Sequence, residues 1–297
     1  MQQLIAGNIR DNYLYMNFKS LEGVSSKDIL KVFNESFADY FVPFKLTEDQ
    51  LVSKMNADKT CLDLSVGAFE NEKLIGFILH GLDTINNQKI VYNGGTGVVP
   101  HKRGRGITEK MYQFSLPILK KRGIDKILLE VISRNIPAVK SYEKVGFRVT
   151  RELACFKGLF KPGNSIIDVE TDELQNYDWN LMKSFWDIDT TWQNSINVLN
   201  NLRKDNISRA AYINGQFVGY VIYNPAGKQI RQIAVHKAFR ENGVATKLIS
   251  ELAERYGNSF SVINVDKKAR NVTGFFESIG FENYIEQLEM ELKLDMD

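Results

Sequence analysis

The chain has 297 residues, a formal net charge of +2, 43% apolar and 25% charged residues. That length exceeds what one hydrophobic core ordinarily serves and predicts two domains, and the composition is that of an ordered globular protein rather than a disordered or fibrous one. The small net charge argues against a nucleic-acid partner, which needs clustered, uncompensated Lys and Arg; two cysteines, Cys61 and Cys155, without CxxC spacing argue against a disulfide framework and a zinc site.

The start, MQQLIAGNIRDNY, has neither the cationic region nor the apolar stretch of a signal peptide, and no apolar run approaches the ~20 residues that span a bilayer. The expectation is a cytoplasmic protein with no membrane partner. Histidine occurs only at 80, 101 and 236, too sparsely for a metal site, so His80, His101 and His236 read as packing or surface residues and no metal is expected.

A strand is expected over YLYMNFKSL (13–21), then a helix capped by Ser25 or Ser26 with Ile29, Leu30, Phe33 and Phe37 on one face. Thr47 caps a second short helix. LDLSVGAFE and KLIGFILHGL read as a hairpin turning at Glu70–Lys73, and KIVYNGGTGVV as the next strand. Gly94, Gly95 and Gly97 are poor strand formers and predict a bulge, or a place where a ligand or another backbone comes close. Ile107, Met111, Phe114 and Ile118 recur at helical spacing; KILLEVIS is a buried strand by its continuous apolar run. A helix over NIPAVKSYEKV stops at Gly146, and FRVTRELACF is a further strand.

Around Pro162 and Gly163 the apolar pattern lapses, which places a boundary between an N-terminal domain, 1–160, and a C-terminal domain, 161–297. The second half then repeats the later elements: SRAAYI, QFVGYVIYN and KQIRQIAVH as strands, a helix with Val244, Leu248 and Leu252 on one face, SFSVINV, VTGFFESIGF and a last strand LEMELKL. The loop glycines Gly106 and Gly243 stand 137 residues apart, and the Gly-Phe pairs at 146 and 280 stand 134 apart. Agreement to within three residues marks a duplication and predicts mixed α/β (α+β) architecture twice over.

Each copy runs a strand into a short loop and a helix, RGRGIT from Arg103 and RENGVA from Arg240. Such a turn gathers main-chain N–H groups at a helix head, where oxygen anions bind, and Gly104 and Gly106 let the backbone approach a phosphate. Arg103 and Arg105 add charge. The spacing matches neither GxxxxGK[ST] nor GxGxxG, which argues against a triphosphatase and a dinucleotide site.

GGTGVVPHKRGRGITEKM and LEVISRNIPAVKSYEKVGF together resemble the two signatures of the GCN5-related N-acetyltransferases, in which this loop grips the pyrophosphate of acetyl coenzyme A. VHKAFRENGVATKL resembles the same loop. The resemblance implies two tandem folds of that family, each a mixed, mostly antiparallel sheet flanked by helices, with acetyl-CoA as cofactor. It implies Tyr142 as general acid and Asn135 as a contact of the pantetheine arm. It further implies cofactor contacts from the main chain of Val98 and Val99 and from the loop Arg103, Gly104, Arg105, Gly106, Ile107 and Thr108, although Thr108 stands where the family usually has Gly or Ala. Glu130, twelve residues before Tyr142, is similarly spaced in the ribosomal-protein N-terminal acetyltransferase group, where it acts as base directly or through water. His80 and Asp83 remain alternatives for that role.

Aligned on the second Gly-Phe pair, Phe276 replaces Tyr142, Ala269 replaces Asn135 and Asn264 replaces Glu130. Val235, Arg240, Gly243, Val244 and Ala245 keep the elements of a possible second cofactor site, and Asn271, two residues off, offers a partial substitute for the lost asparagine. The expected activity is transfer of an acetyl group to a primary amine of a small molecule or peptide, by direct attack, in the N-terminal domain. The alternatives are a non-catalytic acyl-CoA-binding regulatory module and a tandem amino-sugar-thiol acetyltransferase resembling mycothiol synthase. Nothing in the sequence specifies the oligomeric state.

Overall fold

The computed structural model describes residues 16–41, 45–162 and 168–294; Tyr13–Tyr15, expected to open the first strand, and Gly163, at the expected boundary, lie outside them. The first half runs β1 (Met16–Ser20), α1 (Ser26–Ser36), α2 (Glu48–Ala57), β2 (Val66–Glu70), β3 (Lys73–Ile85), β4 (Gln88–Val98), α3 (Ile107–Lys121), β5 (Lys126–Ile132), α4 (Ile136–Val145) and β6 (Arg148–Leu159). The second runs β7 (Glu170–Glu173), α5 (Trp179–Ser184), α6 (Ile196–Asn201), β8 (Ile207–Ile213), β9 (Gln216–Asn224), β10 (Gln229–Val235), α7 (Val244–Tyr256), β11 (Ser259–Asp266), α8 (Arg270–Ser278) and β12 (Phe281–Lys293).

Local chemistry accounts for most boundaries. Ser25 caps α1 by accepting from Asp28 N, and Thr47 forms a capping box with Gln50 at α2. The first helix stops at Ser36, one residue short of Phe37, which caps its C-terminus. β12 begins at Phe281, seven residues before the strand legible at Leu288. Between 170 and 205 the structure adds β7, α5 and α6, none of which the apolar periodicity announced.

The twelve strands form one sheet in the order β1-β2-β3-β4-β5-β12-β6-β11-β10-β9-β8-β7. The last strand of the chain therefore sits in the middle, antiparallel to β5 through Gln287–Lys293 and to β6 through Phe281–Glu291. Burial explains why it stays there. Its far end, Met290 with Leu288 and Leu292, packs into the first core with Phe33, Phe77, Ile107 and Leu129, whereas its near end, Phe281, packs into the second with Phe156, Leu248 and Phe276. Pulling β12 away would open both cores.

Parallel pairing occurs at two places among the described strands, β4 with β5 and β10 with β11. The first extends only over Ile90–Tyr92 against Lys126–Leu128, and the second is a single pair, Gln229 with Ser261. Beyond those points the strands diverge, and each divergence opens a V-shaped cleft.

Candidate active site

The first cleft lies between the diverging ends of β4 and β5, beneath the head of α3. A bulge sets its shape. His80 pairs with Asn93 and Leu79 with Gly95, so Gly94 is the extra residue, at the glycine run where the sequence predicts one. A Cβ there would stand 2.7 Å from Asp58 Oδ2, so any larger residue would have to displace that carboxylate. β4 stays paired to β3 as far as Val98, but its pairing with β5 ends at Tyr92, so the main chain beyond Tyr92 borders the cleft along its other edge.

At the mouth stands the helix head. Gly106 is the N-cap of α3 at φ 69°, without a side-chain cap, and Gly104 lies at φ 76°. Nothing stands within 4 Å of the place a Cβ would occupy on either glycine, so the first-turn amides of Ile107 and Thr108 head an open cradle. Arg105 is exposed beside it. Arg103 turns the other way. Its Nε donates to Val98 O at 3.1 Å, Nη2 to Ser36 O at 2.7 Å, and the guanidinium holds Asp39 at 2.7 and 2.9 Å. That bond holds the Asp39 carboxyl below its ordinary range. The side chain thus fastens the loop to the end of α1, a task the sequence does not reveal.

Inside, a cavity of about 270 Å³ is bordered by Asn93, Thr96, Glu130, Asn135 and Tyr142 among others. Tyr142 is buried, edge-on to Tyr112 and Phe147, and burial pushes its hydroxyl up to about 12, against hydrogen bonding from Thr96 and Asn93. Asn135 caps α4, its carbonyl oxygen accepting from Ala138 N at 3.3 Å. Glu130 accepts a 2.5 Å hydrogen bond from the Tyr92 hydroxyl. Desolvation, above all, lifts its carboxyl to about 7; the Tyr92 bond and Arg151 pull it down, and Glu289 and Asp58 push it further up.

Those neighbours come from β4, β6, β12 and the C-terminal end of α2. Glu289 of β12 lies directly across from Glu130 and from Arg151 of β6, and Arg151 holds it bidentately at 2.6 and 2.7 Å. Tyr92 is stacked on Trp192, ring centroids 5.1 Å apart and 11° from parallel, so the unannounced segment before α6 covers this face of the sheet. Gln193 of the same segment borders the cavity. Its signals were Asp178, which caps α5 by accepting from Asn180 N and Leu181 N, and Ser195, which stands at the N-cap of α6 without a side-chain bond. The alternatives to Glu130 are placed elsewhere. His80 is fully buried with Nδ1 2.9 Å from Leu64 O and burial holding it down to about 4, and Asp83 is held by Lys59 at 2.7 Å and Asn197 at 2.8 Å; neither borders the cavity.

The second cleft repeats this construction. Gly243 caps α7 at φ 84° without a side-chain cap. Arg240 donates to Val235 O at 3.1 Å, to Phe185 O at 2.9 Å and to Asp187 at 3.0 Å, copying the Arg103 clamp. Val235, Val244 and Ala245 border a cavity of about 560 Å³ with the loop. Ala269 occupies the N-cap of α8 with no side chain to cap it, and Phe276 is buried against Phe281. Asn271 gives its amide to Asp187 at 2.8 Å.

Residues 29–147 match the Acetyltransferase (GNAT) family and residues 205–283 an Acetyltransferase (GNAT) domain. The chain belongs to the GCN5-related N-acetyltransferase family and carries the fold in tandem. It is 33% identical over 86 residues to N-alpha-acetyltransferase 30 of Schizosaccharomyces pombe, a match covering 29% of this chain and 57% of that one. Over 56 residues it is 38% identical to mycothiol acetyltransferase of Corynebacterium aurimucosum, covering 19% and 18%. A tandem GNAT protein from the clavulanic acid biosynthesis pathway superposes with TM-score 0.69 at 13% identity, over 95% of this chain and 99% of that one. No helix among the described residues is long and apolar enough to cross a membrane.

Proposed function

We propose that this chain is an acetyl-CoA-dependent N-acetyltransferase acting on a primary amine, with its chemistry in the N-terminal cleft and a division between its two units near residue 160. The observation that carries the reading is the meeting, in one cavity, of a carboxyl held at about 7 and a phenol held at about 12. The residues fit the cofactor: open glycines and an uncapped helix head suit a diphosphate, and the edge of β4 that faces the cleft beyond Tyr92 suits the amides of a pantetheine arm; Val99 is spent within the protein, its N–H on Ile75 O and its carbonyl on Lys102 N, and the Val98 carbonyl on Arg103. Acetyl-CoA, when bound, supplies an activated acetyl thioester.

The remaining chemistry belongs to the protein. An amine attacks only when neutral, and a lysine side chain of pKa about 10.4 is ~0.04% neutral at pH 7, whereas an α-amino group near 7.8 sacrifices only about 1 kcal/mol. Glu130 at about 7 is a matched acceptor for the proton the nitrogen loses, strong enough to take it and ionised often enough to be ready. Tyr142 keeps its proton across physiological pH and holds it at Oη for a leaving group. The C-terminal cleft keeps the loop and lacks both groups, so we assign it coenzyme binding without transfer.

Free-thiol release from acetyl-CoA across peptides, polyamines, amino sugars and aminoglycosides tests the reading. Turnover on at least one amine, lost in Glu130→Gln, supports it; no turnover on any, or full turnover in the variant, overturns it.

A further inference from the structure

The inner end of the C-terminal cleft is chemically unlike its N-terminal counterpart. In β10, Ile230 pairs with Tyr223 and Gln232 with Ile222, so the extra residue of the bulge is Arg231. It stands 137 residues after Gly94, the extra residue of the first bulge, which is the same offset as the loop glycines. Where the first cleft has no side chain, the second has a guanidinium.

That guanidinium is not alone. Thr191, Asn194, Arg231 and Asn264 all border the 560 Å³ cavity. Among the described residues Thr191 Oγ1, Asn194 Oδ1, Arg231 Nε and Asn264 Nδ2 have no hydrogen-bond partner, and Thr191, Asn194 and Asn264 are only 2%, 7% and 6% exposed. Buried polar groups are nearly always satisfied, and an unpartnered buried nitrogen on a half-buried cation, Arg231 Nε, is a costly exception. Burial holds the Arg231 guanidinium below its ordinary value; Asp58 acts on it from beyond ion-pair distance, its own carboxylate being held by Lys54. Four unsatisfied groups around one cavity describe the shape of something they would satisfy. Three can donate, and one of those is a cation, so the complement is an anionic oxygen group. Asn194 Oδ1, an acceptor, is left for a donor on the ligand or a retained water.

We propose that the C-terminal cleft binds an acyl-CoA whose acyl group ends in a carboxylate, a short dicarboxylic acyl such as succinyl, with Arg231, Asn264 and Thr191 receiving that carboxylate. This rests on the assignment of coenzyme binding to both clefts. The helix head of α7 takes the diphosphate, the edge of β10 the pantetheine, and the polar group at the bulge distinguishes a dicarboxylic acyl from acetyl. With Phe276 and Asn264 where the first cleft has its phenol and carboxylate, the bound thioester is held and not transferred.

Calorimetric titration of the full chain with succinyl-CoA, acetyl-CoA, CoA and free succinate tests it, in the parent, Arg231→Met and Gly243→Asp, the last placing a carboxylate at the helix head in a conformation Asp tolerates. The parent is expected to bind succinyl-CoA at a site lost in Gly243→Asp. Arg231→Met should weaken that site about 10- to 100-fold for succinyl-CoA while leaving CoA and acetyl-CoA within about twofold. The buried Nε has no partner to lose, so the thermal midpoint of Arg231→Met should not fall, and Arg231→Lys should recover part of the affinity. If Gly243→Asp removes a coenzyme site in the parent but Arg231→Met titrates as the parent does with succinyl-CoA, the carboxylate assignment is wrong. If Gly243→Asp removes no site at all, the coenzyme assignment itself fails. Free succinate binding as tightly as succinyl-CoA would also overturn the proposal, since the thioester carrier would then contribute nothing.

Discussion

Replacing Glu130 by Gln should destroy activity and stabilise the protein, and the second effect can be worked out from the site. The folded chain holds this carboxyl at about 7 against an ordinary 4.5, so it binds the proton more tightly than the unfolded chain does. Between those values the unfolded chain has released its proton and the folded one has not; stability contributed by the protonated group therefore declines as pH rises from about 4.5 and is gone above about 7. A gap of about 2.5 in pKa corresponds to about 3 kcal/mol, and because solvent reaches part of the side chain we expect about 1–3 kcal/mol. Gln keeps an oxygen for the Tyr92 hydroxyl and carries no charge to desolvate. Urea midpoints of parent and variant should lie close together near pH 5 and separate in favour of the variant by pH 8. If the separation does not grow with pH, or the parent is the more stable at pH 8, burial does not strain this carboxylate and its role as base loses its physical support.

The same cluster predicts a pH profile. The acid limb of kcat/KM should fall below about pH 7, and Glu289→Gln, which removes a like charge directly across the strand, should move that limb down. Arg151→Met should move it up, because the cation no longer offsets Glu289; a limb that stays put in both variants would place the titrating group elsewhere. Tyr142→Phe should lower kcat by about 10²-fold with acetyl-CoA affinity unchanged by calorimetry, and unchanged turnover would remove it as an acid. Gly106→Asp should abolish turnover by repelling the diphosphate while Gly243→Asp leaves it largely intact; the reverse pattern would move the chemistry to the second cleft. Gly81→Ala should cost well over 2 kcal/mol in chemical denaturation, because its Cβ would fall 1.9 Å from Asp58 O, backbone that cannot step aside.

Several features of this protein are local and were therefore written in the sequence. Ser25 and Thr47 announce helix starts because a cap is a contact three residues long. Gly106 and Gly243 announce helix heads because only glycine accepts that backbone freely, and the bulge at Gly94 shows as a glycine run in an otherwise apolar strand. Duplication is legible because both copies keep the same spacing. The roles of Tyr142 and Asn135 were suggested by resemblance, and the structure brings both residues to one cavity with Glu130.

Other features needed the chain folded. Arg103 looks like a free positive charge beside a phosphate loop, yet its partner Asp39 comes from the end of a different helix, and nothing in a linear reading pairs them. Glu130 looks like an ordinary strand carboxylate until β12, 150 or more residues later, slides between β5 and β6 and sets Glu289 against it. Arg231 reads as one more surface arginine until the bulge and the cavity enclose it. Turns, caps and periodicity follow from forces between near neighbours in sequence. The acidity of a carboxyl and the isolation of a guanidinium depend on which distant groups exclude water from them, and only the order of strands in the sheet decides that.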